Sequence, residues 1–101
     1  MKILISLSDS QVTVEAVDDL KRLSAVILGE GDLEAALSGF ASVEGSEHLW
    51  VDISALKELA SRQEADSERW SANYDTMIAY AQRSGWVDAT STYVRVHVAP
   101  E

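Results

Sequence analysis

Lys2-Ile3-Leu4-Ile5-Ser6-Leu7-Ser8-Asp9-Ser10-Gln11-Val12-Thr13-Val14-Glu15-Ala16 is the stretch whose reading decides the fold class. Ile3, Ile5 and Leu7 alternate with Lys2, Ser6 and Ser8, and Val12 and Val14 alternate with Gln11, Thr13 and Glu15. Each arm therefore repeats every two residues, as a half-buried strand does, although Leu4 interrupts the polar face of the first. Asp9 and Ser10 supply turn chemistry between the arms. Strands joined this tightly pair antiparallel, because a parallel crossover needs a dozen or more residues. The reading predicts a hairpin over residues 2–16.

Downstream, Ala25-Val26-Ile27-Leu28 is apolar throughout and stops at Gly29, the pattern of an interior strand. Residues 18–23 read as a short helical turn or as the loop between the second and third strands; the loop is the preferred reading and completes a three-stranded meander. Asp32 follows Gly31 and can cap a helix that places Leu33, Ala36 and Leu37 on one face and ends at Gly39 and Phe40. Leu49, Val51 and Ile53 form another alternating set behind the turn-like Glu44-Gly45-Ser46, and Ser54 is read as the cap of a helix turning Leu56, Leu59 and Ala60 inward. Whether that helix stops near Ala65 or runs into the next is open, because Ser61 and Glu64 also fit a capping box.

From about Asp66 to Trp86 the chain reads as an amphipathic helix with Trp70, Tyr74, Met77, Ile78 and Ala81 on one stripe. Gly85 supplies a left-handed stop and Arg83 complements the C-terminal dipole. Trp86 is expected to fold back toward Ala81 and Tyr80, with Tyr80 off the stripe. The stripe is read as core, since a helix of this kind needs an apolar face to dock. Val94, Val96 and Val98 alternate with Tyr93, Arg95 and His97 in a last strand that Pro100 ends. Strands and helices mix without strict alternation. The expectation is an α+β two-layer sandwich: a mainly antiparallel sheet of about five strands with two to three helices on one face.

Length and composition bound the rest. A chain of 101 residues without repeat, linker or low-complexity tract predicts a single globular domain over residues 1–101. Hydrophobic residues at 47% and charged residues at 25% exclude disordered and fibrous classes. The absence of cysteine removes disulfides, thiolate zinc sites and cysteine nucleophiles. The start has too few apolar residues for a signal peptide, and no run approaches a membrane span. A cytoplasmic protein is expected, and the alanine-rich acidic composition suits a bacterial one. Eight Lys and Arg against seventeen Asp and Glu give −9, a field that repels phosphates and anionic lipids, so direct nucleic-acid or membrane binding is not expected. Six acids and no cation lie between Arg22 and Lys57. They read as a solvated surface or as a docking face for a basic partner.

One constellation follows from register. If Leu49, Val51 and Ile53 face the helices, His48, Trp50 and Asp52 point the other way, and Tyr93, Arg95 and His97 leave the last strand on that same side. Both histidines, two aromatics, an acid and a guanidinium then share the helix-free face. The plain reading is a solvated sheet face with cross-strand pairs such as Asp52 with Arg95. A protein interface is the second, favoured because large aromatics outside a core tend to sit at contacts. A small-molecule or catalytic pocket is the third, with His48 or His97 carrying protons and Arg95 clamping an anion. Gly29-Glu30-Gly31 lacks the third glycine of a dinucleotide loop and carries acids where a pyrophosphate would lie, so a turn plus a helix cap explains it. No cofactor is implied. His48 and Asp52 would stand about 13 Å apart along a strand, so no metal site is read there. No serine lies in a glycine-flanked elbow.

The function expected is a non-enzymatic accessory or interaction domain that self-associates, its partner a second copy or another protein. A small-molecule site on the same sheet face is the alternative. An acidic decoy for a basic nucleic-acid-binding partner is the third reading.

Overall fold

The opening hairpin forms as its alternation requires. In the computed structural model, which describes residues 1–63 and 67–100, β1 (Lys2–Ser6) pairs antiparallel with β2 (Gln11–Glu15), and Ile3 and Ile5 are fully buried opposite Val14 and Val12. The chain continues through β3 (Ser24–Leu28), α1 (Leu33–Leu37), β4 (Ala41–Glu44), β5 (His48–Asp52), α2 (Ile53–Ser61), α3 (Ser67–Arg83) and β6 (Tyr93–Val98). The fold is α+β, with three helices beside one sheet.

The expected meander does not form. β3 pairs with β1 in parallel, on the side away from β2, and β6 is parallel to β3. The sheet is mixed, six strands in the order β2-β1-β3-β6-β5-β4, where about five mainly antiparallel strands were expected. The cause lies in residues 16–23, which carry anchors as well as loop. Val17 is buried, Leu20 and Leu23 pack against the core, and the Met1 amino group donates to the carbonyls of Asp19 and Arg22. That segment crosses the end of β1 and delivers β3 to its far edge.

β4 was not read from the sequence. Ser42 and Glu44 dilute its pattern, yet as an edge strand it needs only one neighbour, and it pairs antiparallel with β5. The sheet curls: α1 touches both β2 and β4, from opposite edges, and α2 touches both β2 and β5. A flat two-layer sandwich therefore describes the molecule only in part. One hydrophobic cluster joins the inner sheet residues, among them Ile3, Ala25, Leu49, Val51, Val94 and Val96, to Leu37, Leu56, Trp70 and Tyr74 from the helices.

Local chemistry sets the helix ends. Asp32 caps α1, accepting from Glu34 N at 3.0 Å and Ala35 N at 3.3 Å. Asp52, and not Ser54, caps α2 by accepting from Ala55 N at 2.9 Å. The helical pattern after residue 53 divides into two helices, and Ser61 ends the first, its Oγ donating to the Glu58 carbonyl. Glu64, Ala65 and Asp66, on which the boundary readings rested, lie outside the described residues. α3 closes in a Schellman motif: Gly85 sits at φ 81°, Trp86 N donates to Ala81 O at 2.9 Å and Gly85 N to Gln82 O at 3.2 Å. Trp86 thereby folds back, edge-on to Tyr80 with ring centroids 6.1 Å apart.

The stripe on α3 is covered unevenly. Trp70, Tyr74 and Ala81 are buried, whereas Met77 and Ile78, read as core, are only partly so. Among the described residues no helix is long and apolar enough to cross a membrane.

Candidate functional site

The helices gather on one face of the sheet, and strand alternation decides what is left on the other. The pairing of β5 with β6 sets His48 opposite His97, Trp50 opposite Arg95 and Asp52 opposite Tyr93. All six residues singled out from the sequence thus stand in three adjacent cross-strand pairs.

Their contacts give them different roles. The Asp52 carboxylate is spent on the α2 cap, so it is a structural group. Tyr93 is positioned by the loop before it: Asp88 accepts from Tyr93 N and Thr92 N, both at 2.9 Å, and from Thr90 Oγ1 at 2.6 Å. Those hydrogen bonds to the charged form, led by the Thr90 hydroxyl, hold the Asp88 carboxyl below its ordinary range. Arg95 does not pair with Asp52. Its Nε lies 3.2 Å from Glu44 Oε2, and its Nη2 lies 3.5 Å from His48 Nδ1. The two imidazoles meet edge to face, their centroids 5.4 Å apart.

Glu44 is the member of this cluster that sequence reasoning missed. It sits on the strand that was not read, directly opposite His48. Its Oε2 is shut off from solvent and takes no hydrogen bond among the described residues, so the Arg95 charge alone compensates it. Both side chains are about one-third exposed, at 38% and 35%, and such a pair contributes at most about 1 kcal/mol. The pair engages the guanidinium that an anion clamp at this face would need.

Seen across the whole sheet, the face is organised in transverse rows. Glu15, Lys2, Ser24, His97, His48 and Glu44 stand side by side, one polar residue from each of the six strands. Thr13, Leu4 and Val26 flank this belt on one side, and Arg95, Trp50 and Ser42 on the other. Val26 is 7% exposed and, among the described residues, is the one buried apolar side chain outside the main cluster. The strand residues of this face carry Lys2 and Arg95 against Glu15, Glu44 and Asp52, which is 2 − 3 = −1 of the chain's −9.

The described residues hold no group of three His, Cys, Asp or Glu side chains arranged to hold a metal. Among the described residues, one surface cleft lies between α2 and α3 and another beside the end of α3. Of the six predicted residues only Arg95 touches either. The Gly29-Glu30-Gly31 turn has a packing explanation: a Cβ on Gly31 would come 2.6 Å from the Leu7 carbonyl oxygen, so the chain passes the end of β1 only without a side chain. Comparison with protein-family models, with curated protein sequences and with solved structures yields no match.

Proposed function

We propose that this chain is a protein-interaction module that self-associates through the helix-free face of its sheet. The observation that carries the reading is Val26, buried on the side of the sheet that no helix covers, in a row with Leu4 on one flank of the polar belt, while the half-buried Trp50 lies on the other flank. Charge supports a second copy as the partner. A twofold contact sets the same patch against itself, so like charges would meet across it. This face holds only one negative charge in excess, while the other described acids lie on loops and helices. The polar belt supplies both signs for pairing across the contact, and Trp50 and Tyr93 supply the aromatic area on which such contacts depend.

The engaged state of Arg95 weighs against an anion-binding pocket at His48 and His97, and Asp52 is committed to its cap. An acidic decoy would use the loops and helices instead of this face. The proposed setting is the cytoplasm, where a cysteine-free chain gives up nothing to reducing conditions.

Trp50→Glu is the test, because a charge buried without a partner opposes association while an exposed one is tolerated. Sedimentation equilibrium should give a dimer for the native chain and a folded monomer for the variant. A native chain that stays monomeric at high micromolar concentration refutes the proposal.

A further inference from the structure

We propose that the cleft beside the C-terminal half of α3 binds a small amphiphilic carboxylate, an acyl chain whose head group is met by Lys21 and Arg22. The cleft encloses about 590 Å³, within the range of small-molecule sites. Its position follows from the sheet. β6 changes neighbours along one edge: Val87 bridges to Val94, whereas Ser24 and Ala25 pair with His97 and Val98. Between these two partners the edge is open. Residues 20–23 fold over the opening from one side and α3 from the other.

The chemistry of the lining selects the ligand. Leu20, Leu23, Met77, Ile78, Val94 and Trp86 give an apolar wall, and Met77 can adapt its shape to an irregular chain. Tyr80 and Trp86 stand exposed at 57% and 46% in contact with each other, an aromatic pair that the core does not use. The polar end is cationic. The chain has eight Lys and Arg against seventeen acids, yet among the described residues Lys21, Arg22 and Arg95 line this cleft and no carboxylate does. Arg95 is held by Glu44. Lys21 and Arg22 make no ion pair among the described residues. An apolar slot with two adjacent uncompensated cations at its rim complements a long hydrocarbon ending in one negative charge. A neutral chain would leave the cations unanswered, and a cationic one would be repelled.

The site meets the sheet face at Arg95, but Lys21 and Arg22, which the test changes, lie outside that face, so failure here and failure of self-association are distinguishable. The full chain, labelled with nitrogen-15, is titrated with decanoate below its micelle-forming concentration, with decanol and decyltrimethylammonium as the neutral and cationic counterparts. Decanoate should shift the amides of Leu20, Leu23, Met77 and Ile78 and the indole of Trp86, and should bind more tightly than either counterpart. The exposed double variant Lys21→Ala/Arg22→Ala should lower decanoate affinity about tenfold and leave decanol unchanged, since two partly screened ion pairs are lost. Three results overturn the proposal: no shift with decanoate, shifts confined to another surface, or equal affinity for the anionic and cationic chains.

Discussion

Trp70 and Tyr74 lie in the N-terminal half of α3, 4% and 0% exposed, with rings 5.1 Å apart. Met77 and Ile78 lie one turn later on the same stripe and remain partly uncovered. What separates the two halves is the polar end of each aromatic ring. Trp70 Nε1 donates to the Val17 carbonyl at 2.7 Å, and the Tyr74 hydroxyl donates to the Ile53 carbonyl at 2.9 Å. Each bond ties the helix to a backbone that lies over the sheet, and the apolar ring body is sealed as a consequence. Met77 and Ile78 have no such handle, and the sheet edge across from them is the one that changes partners. Burial along an amphipathic helix is set by what lies opposite, so one stripe can be core at one end and the wall of a cleft at the other.

Trp70→Ala should show the largest effect of any single change to this contrast. It removes a buried indole and leaves the Val17 carbonyl without its donor, for a loss of about 3–5 kcal/mol. Chemical denaturation would measure it. A loss no larger than that from Met77→Ala would erase the distinction between the halves.

Met77→Ala should cost about 1–2 kcal/mol, below the range of fully buried methionines, because part of its surface already meets water. A larger loss would mean that the cleft is closed in solution. The same melts read both variants.

Tyr74→Phe is the smallest change and the most specific. Near neutral pH it should cost about 1 kcal/mol for one hydrogen bond. Its pH dependence carries more information. Burial, with the charges of Asp75 and Asp52 adding to it, raises the Tyr74 phenol well above its ordinary value of 10.0. The folded chain therefore keeps this proton where the unfolded chain has released it. The stabilisation is fully present below pH 10 and falls as pH rises beyond it, at about 1.4 kcal/mol per pH unit. The phenylalanine variant lacks that slope, so the two stability curves should converge and cross at about pH 11. Parallel curves through that window would place Tyr74 in contact with water.

Much of the architecture was legible because it rests on short-range chemistry. Period-two patterns located four of the strands and a continuous apolar run a fifth, Asp32 and Gly85 marked helix ends, and the alternation of β5 and β6 brought His48, Trp50, Asp52, Tyr93, Arg95 and His97 to one face. The misses share a cause. The meander failed because Leu20 and Leu23 read as loop residues, and Val17 as no element at all, when their contacts with the core are out of view. β4 escaped because an edge strand can be polar on one face and short. Glu44 was lost with it, and so the partner of Arg95 was misassigned to Asp52.

The sequence by itself determined the α+β class, the opening hairpin and the side of β5 and β6 on which His48, Trp50, Asp52, Tyr93, Arg95 and His97 stand, since each depends on the fixed geometry of a strand or helix. Only the tertiary structure decided which strands became neighbours, that the sheet curls, that Arg95 is neutralised by Glu44, and that Lys21 and Arg22 stand over an apolar cleft. Those facts join residues far apart in the chain, such as Val17 with Trp70 and Glu44 with Arg95. Such pairings are chosen by the packing of the whole core, to which no local pattern has access.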